Sequence, residues 1–303
     1  VLTDTAAPTT VEDREFSVAA RSQWRTITRR FLRHRPAMIS MVILLLLTLF
    51  VFLFPLWWEW PFTVRDKKAL SKAPSWDHPF GTDGLGKDGL GRVMRGTQRS
   101  IEIALIAAFL VTIIGVLAGA MAGYFRGWVD AVIMRFTDLI LTIPLLVVVA
   151  VVSVGLPGSP WYTIPVILGL FAWTTLARIV RAEFMSLREK EFVEAARAVG
   201  AHDRRIIFKH ILPNLAGPII VAATLSIAGT IITETALSFL GLGVKPPDVS
   251  LGLLIQESMG AFKTRPWLFW FPAAAIVTLC LCVNFIGDGL RDAFDPKQNR
   301  IKA

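Results

Sequence analysis

The sequence predicts an all-α, polytopic membrane protein with six transmembrane helices. Of its 303 residues, 54% are hydrophobic and 18% are charged, against about 45–50% and 25% in ordinary soluble domains. Its mean hydropathy is +0.57. A helix needs roughly 20 apolar residues to cross about 30 Å of hydrocarbon, and six apolar runs of about this length follow one another along the chain. Composition and runs together indicate one membrane domain.

The positions of the runs predict the order of segments. A leader at 1–36 precedes the first helix at 37–57, and a loop at 58–100 follows it. The other five helices form a core at 101–290 and are predicted at 101–125, 131–154, 162–180, 215–240 and 267–286. A tail occupies 291–303. An even number of crossings places the leader and the tail on the same side of the membrane.

Basic residues before the first helix predict the orientation. They are Arg25, Arg29, Arg30, Arg33 and Arg35. Lys and Arg beside a membrane helix favour the cytoplasmic side, so both termini are expected in the cytoplasm and the loop at 58–100 outside. The tail and the segment 181–209 are also basic, which agrees. The loop itself is basic between Arg65 and Arg99, but acidic residues are interspersed there and longer loops follow the charge rule less closely.

Several functional classes are not expected. The net charge of +9 would suit nucleic acid, but the basic residues lie beside apolar runs, where they orient helices. Cys280 and Cys282 point to different faces of an apolar helix, and the four histidines are scattered, so no metal site is predicted. The sequence has no nucleophile motif such as G-x-S-x-G. Nucleic-acid binding, a metal centre and enzymatic catalysis are therefore not predicted.

A glycine-rich stretch resembles a nucleotide-binding motif only superficially. Gly81–Lys87 fits G-x-x-x-x-G-K, and Gly84–Gly89 fits G-x-G-x-x-G. A P-loop needs Ser or Thr at the next position to bind magnesium, whereas Asp88 stands there, and both motifs need a buried strand before them. The stretch is predicted to be a turn, with glycine supplying positive φ, and nucleotide binding is not expected.

Small residues and prolines predict close packing and kinks. Gly115, Gly119 and Gly123 recur every four residues in the second helix, a spacing that lets helix backbones approach closely in lipid. Pro144, Pro218 and Pro272 lie in or near apolar helices. Such prolines free backbone carbonyls that a bundle can satisfy, so local kinks are expected.

The polar segment at about 181–213 carries the most specific pattern. Its apolar residues recur at helical spacing and are Phe184, Leu187, Phe192, Ala195 and Ala196. Within it, Glu194-Ala195-Ala196, Gly200 and Leu212-Pro213 fit E-A-A-x3-G-x9-I-x-L-P, with His210 at the usual Ile position. Gly200 permits a left-handed turn between two short helices, and Pro213 suits the first turn of a helix.

This pattern resembles the EAA loop of the inner-membrane subunits of ABC importers. Three further stretches are similar to the C-type permeases of dipeptide and oligopeptide importers: His78–Asp83 with Leu85–Asp88, Glu234–Gly243 with Pro246-Pro247, and Asn284–Asp292 with Asp295-Pro296. Lys87 replaces the family's usual Arg. The four matches follow one another in order, and the resemblance covers roughly 22–297. It implies the type I ABC importer permease fold in the plasma membrane of a bacterium.

The resemblance also implies partners and roles. The chain would pair with a homologous second permease, bind two ATPase subunits and receive peptide from an extracytoplasmic binding protein. Coupling to the ATPases would fall to Glu194, Ala195, Ala196, Gly200, Leu212 and Pro213. ATP and magnesium would bind the ATPases, and this chain would need no cofactor. The same machinery imports nickel, glutathione or haem in other members, and a channel or exporter without an ATPase is a further alternative.

Three charged residues within predicted helices are candidates for a gate or the transport path, because such residues are costly in lipid. Arg135 and Asp138 are spaced i, i+3 and are expected to form an internal pair or to contact the neighbouring loop. Glu234 lies some twenty residues beyond Pro213, roughly 30 Å along a helix. It is expected near the outer mouth, either at a gate, binding a peptide amine, or packed at a helix end.

Overall fold

The computed structural model describes residues 23–155, 158 and 160–295, which fold into a helical bundle. Its α-helices are α1 Gln23–Arg33, α2 Arg35–Leu53, α3 Gly89–Phe125, α4 Gly127–Thr142, α5 Leu145–Gly155, α6 Thr163–Arg188, α7 Glu191–Ala198, α8 Asp203–Arg205, α9 Ala216–Phe239, α10 Leu251–Ser258 and α11 Trp267–Phe294. The β structure of this part of the chain consists of two isolated bridges, Arg65 with Lys87 and Thr82 with Asp88. The prediction of an all-α membrane protein is confirmed.

Five long helices of the described residues are apolar enough to cross a bilayer, and α4 with α5 makes a sixth if this bent pair forms one span. The pair bends by 72° at the break, where Ile143 is extended, with φ −88° and ψ 117°. Proline disfavours the α conformation in the residue before it, so Pro144 explains the break. The kink predicted at Pro144 is present. Pro272, by contrast, lies inside the continuous helix α11.

Several spans are longer than their apolar runs. α3 begins at Gly89 rather than 101, α6 continues to Arg188 rather than 180, and α11 continues to Phe294 rather than 286. Polar residues can continue a helix beyond the hydrocarbon, because the backbone hydrogen bonds do not depend on lipid. The segments 89–100 and 181–188 are thus parts of membrane helices, not of loops.

A wider helical turn precedes α9. One helical segment, Asp203–Phe239, comprises α8, a π-helical turn at Ile206–Ile211, a 3₁₀ turn at Leu212–Leu215 and α9. Pro213 has no N–H to donate, and its ring would clash with a carbonyl one α-turn earlier. In the π turn the N–H of Leu212 instead bonds to the carbonyl of Ile207. Pro213 therefore lies just before the regular helix, close to the predicted start.

Helices α3 and α6 pack backbone against backbone, as the glycine spacing predicts. A Cβ on Gly115 would lie 3.0 Å from the carbonyl oxygen of Trp173, and one on Gly119 would lie 2.5 Å from that of Ala177. One on Gly123 would lie 2.6 Å from the carbonyl oxygen of Arg181. Because any side chain there would separate the helices, the role of these glycines in packing is confirmed.

Some predicted segments fall partly outside the described residues. This applies to 1–22 of the leader, to 156, 157 and 159 between the third and fourth predicted helices, and to 296–303 of the tail. The described end of the leader forms α1. The loop at 58–88 folds against the start of α3, and α10 beside it lies in a segment for which the sequence pattern predicted no helix.

Candidate functional site

Helix α7 is a short amphipathic helix held against one end of the bundle, here called the α7 end. Val193 is fully buried and Ala196 nearly so, and both pack in an apolar cluster with Phe184, Ile206 and Ile211. This cluster joins α7 to the end of α6 and to the π turn before α9. Burial of such side chains fixes the position of α7 on the bundle.

The opposite face of α7 is exposed. Glu194 and Ala195 lie on it, as does Phe192 with 39% of its surface exposed. Helical spacing groups Phe192 and Ala195 with Phe184, but the structure exposes both of them on this other face. The helix is interrupted at Glu189 and Lys190, so a spacing counted across the interruption gives the wrong face.

Gly200 ends α7 in a left-handed turn, as predicted. Its φ is +78°, a conformation that costs little only for glycine. The N–H of Gly200 donates to the carbonyl of Arg197 at 2.9 Å, and that of Ala201 donates to the carbonyl of Ala196 at 3.0 Å. These two bonds form a Schellman motif. The motif reverses the chain between α7 and α8.

Tyr124, for which the sequence pattern predicts no role, connects α3 to this segment. Its hydroxyl donates to Asp203 at 2.6 Å, and its backbone carbonyl accepts from Arg188 at 2.6 Å. The guanidinium groups of Arg188 and Arg197 lie 5.5 and 5.9 Å from the centre of its ring. Tyr124 thus contacts residues before, within and after α7. The available signal was a tyrosine at the end of a membrane span, one of two tyrosines in the chain.

A groove of about 850 Å³ runs along α6 and α9. Apolar side chains such as Leu145, Ile179 and Leu225 line it together with the hydroxyl side chains of Ser226 and Thr230. These hydroxyls already donate to carbonyls of α9, at 2.7 and 2.8 Å, so their lone pairs remain as acceptors. The groove therefore offers hydrogen-bond acceptors between apolar walls.

The α7 end of the groove is charged. Glu183, Arg291 and Asp295 line it there. Arg291 lies in the last turn of α11, where a positive charge interacts favourably with the helix dipole. Among the described residues, no three His, Cys, Asp or Glu side chains are arranged to hold a metal ion.

Glu234 is fully buried in α9 at the opposite end, here called the α10 end. Its carboxylate accepts from Ser238 at 2.6 Å and from Ser100 of α3 at 3.3 Å. Ser250, which caps α10, donates to Ser238 at 3.1 Å. The carboxyl group therefore lies in a network of hydroxyls that joins α3, α9 and α10, rather than on the wall of the groove.

Arg135 and Asp138 do not pair with each other, which was one of the two predicted alternatives. Asp138 accepts from Arg178 of α6 at 2.7 Å, and both side chains are about half exposed. Arg135 is exposed on α4. The partner of Asp138 lies on another helix. Spacing along one helix cannot reveal such a partner.

The glycine-rich stretch caps a helix. Asp88 is buried, and its carboxylate accepts from the N–H of Gly91 at 2.6 Å, from Trp58 at 3.1 Å, and lies 2.9 Å from Nδ1 of His78. It is thus the N-cap of α3. Gly81 and Gly86 have φ of +68° and +76°. The predicted turn is confirmed. Asp88, at the position where a P-loop has its magnesium-binding hydroxyl, caps helix α3 instead.

Ion pairs cover the α10 end of α3. Asp248 binds Arg95 and Arg99, and the Arg99 guanidinium lies 4.1 Å from the centre of the Trp161 ring. Burial alone would raise the pKa of Asp248, but hydrogen bonds from Arg95 and the Val249 N–H outweigh it and hold that pKa below its ordinary value. Asp248 is therefore charged at neutral pH.

The structure is a bundle of membrane helices with a groove along α6 and α9 and a short amphipathic helix at one end, an arrangement found in membrane transport proteins. The family model of the binding-protein-dependent transport system inner membrane component matches residues 115–300, and that of the N-terminal TM domain of oligopeptide transport permease C matches residues 22–74. The chain belongs to the family of binding-protein-dependent transport system inner membrane components. Its resemblance to C-type permeases is confirmed.

Curated relatives are similar to this chain over almost its whole length. It is similar to the oligopeptide transport system permease protein OppC of Mycobacterium bovis, with 41% identity over 91% of this chain and 95% of the relative. OppC of Haemophilus influenzae is 41% identical over 93% of this chain and 91% of the relative.

Among solved structures, the MetNI methionine ABC transporter in an inward-facing form matches with a TM-score of 0.56 and 20% identity. The match covers 68% of this chain and 97% of that chain. It shows the type I ABC importer permease fold.

Proposed function

We propose that this chain forms half of the path of an ABC importer for oligopeptides and couples it to ATPase subunits through α7 and the segment that follows. The observation that carries the proposal is the geometry of α7, buried on one side by Val193 and Ala196 and exposed on the other at Glu194 and Ala195. Similarity to oligopeptide permeases supports the cargo.

The groove suits a path for varied peptides. Its volume, about 850 Å³, falls within the range of about 300–1,000 Å³ typical of ligand sites. Hydroxyl oxygens of Ser226 and Thr230 would accept from peptide N–H groups, which every peptide has. The apolar walls would tolerate different side chains. In the complex a homologous second permease would close the groove, and an extracytoplasmic binding protein would select the peptide.

The α7 end would face the cytoplasm, so that two ATPase subunits, holding ATP and magnesium, could reach the exposed face of α7. Movement of α7 would pass to α6 and α9 through the shared apolar cluster, with Leu212 and Pro213 at the base of α9. This chain would hydrolyse no ATP. Alternating access would follow from movement of these helices against those of the second permease.

Residues outside the coupling segment would have supporting roles. Glu234 would hold the α10 end of the path closed through its hydroxyl network, and opening would separate Ser100 from it. Asp138 would join α4 to α6 through Arg178. Arg135, exposed on α4, would face the second permease or the path.

Ala195→Arg tests the proposal. The side chain of Ala195 is exposed, so arginine there can be accommodated without repacking the bundle, but it would obstruct a docked ATPase. We expect loss of ATPase co-purification and of oligopeptide uptake at unchanged membrane abundance. Ala73→Arg, an exposed alanine in the loop at 58–88, is the matched control and should retain both. Full ATPase co-purification and uptake in Ala195→Arg would refute the coupling role.

A further inference from the structure

Helix α1 has two chemically different faces. The positions turned towards the bundle are partly buried and are Thr26, Ile27, Arg30 and Phe31. The exposed positions are Arg25, Thr28, Arg29, Leu32 and Arg33. At 3.6 residues per turn the exposed positions fall on one side of the helix. This side, here called the arginine face, carries three arginines four residues apart and a leucine that is 55% exposed.

The fold fixes α1 at the α7 end of the bundle. Arg30 donates to the backbone carbonyl of Asp295 at 3.1 Å, which caps the end of α11. Ile27 lines a small cavity with Pro213, Asn214 and Phe294. The buried side of α1 is thus turned towards α11 and the start of α9, which leaves the arginine face pointing away from the bundle.

His34 separates α1 from the first membrane span. Its backbone is extended, with φ −79° and ψ 91°, and Nδ1 of its ring accepts from the N–H of Ala37 at 3.2 Å. Its Nε2 lies 3.4 Å from Asp292 of α11. Because the helix breaks at His34 and a membrane span begins at Arg35, α1 lies at the level where the bilayer surface must be.

The arginine face has no acidic partner in the described part of the chain. Helix α1 itself contains no Asp or Glu. None of the ion pairs between described residues uses Arg25, Arg29 or Arg33. As far as the described residues extend, the three positive charges therefore remain available to an external anion.

We propose that the arginine face of α1 binds the phosphate groups of anionic phospholipids. Guanidinium groups bind phosphate oxygens in pairs, and Leu32 beside them can enter the boundary between headgroups and acyl chains, as apolar residues of interfacial helices do. An acidic protein surface would match the charges, but the position at the bilayer surface and the exposed leucine favour lipid. The proposal does not depend on the cargo or on the coupling role of α7.

Lipid retention by the purified full-length chain tests the proposal. Native mass spectrometry would compare phosphatidylglycerol with phosphatidylcholine for the wild type and for the triple variant Arg25→Gln, Arg29→Gln, Arg33→Gln. Each basic residue near an anionic surface contributes about fivefold in binding, so roughly a 100-fold weaker retention of phosphatidylglycerol is expected for the triple variant. Phosphatidylcholine should be retained equally by both.

Two controls separate the site from general charge. The triple variant Lys67→Gln, Lys68→Gln, Lys72→Gln removes the same charge from exposed positions of the loop at 58–88 and should retain phosphatidylglycerol fully. Replacing the three arginines by lysine, which keeps the charge but not the paired hydrogen bonds, should restore only part of the retention. If the triple glutamine variant does not elute as a folded protein, the single variant Arg29→Gln should still show about a fivefold loss.

Three outcomes would overturn the proposal. The first is equal phosphatidylglycerol retention by the folded wild type and the arginine variants. The second is an equal loss in the lysine-loop control, which would indicate a general charge effect. The third is unchanged lipid retention with loss of a co-purifying partner protein in the triple glutamine variant, which would assign the arginine face to a protein contact.

Discussion

Arg95 and Asp248 form a two-point ion pair, with Nε 2.8 Å from Oδ1 and Nη2 3.2 Å from Oδ2. The pair joins α3 to the segment before α10, 153 residues later in the chain. Arg99 donates to the same carboxylate while its guanidinium lies over the ring of Trp161. The carboxylate therefore joins its own segment to α3, and Arg99 extends the contact to the segment that carries Trp161.

The first prediction concerns this carboxylate. Asp248→Asn should reduce the free energy of unfolding by about 1–3 kcal/mol, because it weakens charge-assisted hydrogen bonds. The folded-state pKa of Asp248 lies below its ordinary value of 3.8. Its contribution to stability is therefore present above that ordinary value and is lost as the pH falls through the lowered folded-state pKa.

Thermal unfolding of the detergent-purified protein, from neutral pH down to about pH 3, would measure this effect. The wild type should lose stability in the acid range more steeply than Asp248→Asn. Asp77→Asn, at an exposed position, serves as the control and should follow the wild type. Parallel curves for the wild type and Asp248→Asn would contradict the assignment.

The second prediction concerns the turn after α7. Gly200→Val should abolish peptide uptake while the protein still inserts, because a β-branched residue strains a φ of +78°. A Cβ at Gly200 would meet no atom within 4 Å, so the effect would be conformational and not steric. Gly200→Asn, which tolerates this conformation better, should retain much of the uptake. Uptake and membrane abundance are measured together, and normal values for both in Gly200→Val would count against the role of the turn.

The third prediction concerns orientation. Single cysteines at Lys72→Cys and Pro247→Cys should react with impermeant reagents in intact cells, whereas Lys190→Cys should react only after permeabilisation. All three positions are exposed in this chain. Labelling of Lys190→Cys but not of Lys72→Cys in intact cells would show the opposite orientation and refute the proposed import function.

The fourth prediction distinguishes a helix cap from a nucleotide site. Asp88→Ala should destabilise the protein by about 1–3 kcal/mol or more, since it leaves donors without their acceptor at a buried position. Lys87→Ala should leave the ATPase activity of the assembled complex nearly intact. The isolated chain should bind no ATP by equilibrium dialysis. Stoichiometric ATP binding that Lys87→Ala removes would restore the nucleotide-binding interpretation.

Apolar run length located the spans well, because the cost of placing polar backbone and charge in lipid acts on every residue of a run. It missed their polar ends, such as 89–100 of α3, where helical hydrogen bonds continue beyond the apolar run. It also missed α10, which is short; Ser250 before Leu251 was the available capping signal, since its hydroxyl accepts from the N–H of Leu253.

Local chemistry was likewise predictable where one residue determines the backbone. Gly200 and Pro144 could be interpreted directly, because their effects on φ and ψ act within a residue or two. Contacts between distant segments could not. Tyr124 bonds to Asp203, 79 residues away, and Asp138 bonds to Arg178, 40 residues away. No periodicity in one sequence encodes such partners.

The helical segment Asp203–Phe239 is 37 residues long, which corresponds to about 55 Å at 1.5 Å per residue. One end adjoins α7, and the other carries Glu234 and Ser238, which contact Ser100 of α3 and Ser250 before α10. A tilt of a few degrees at the first end would displace the far end by several ångströms, more than a hydrogen bond can stretch and still hold. Because the segment is one continuous helix, small movements of α7 would affect the hydrogen bonds between Glu234 and the serines.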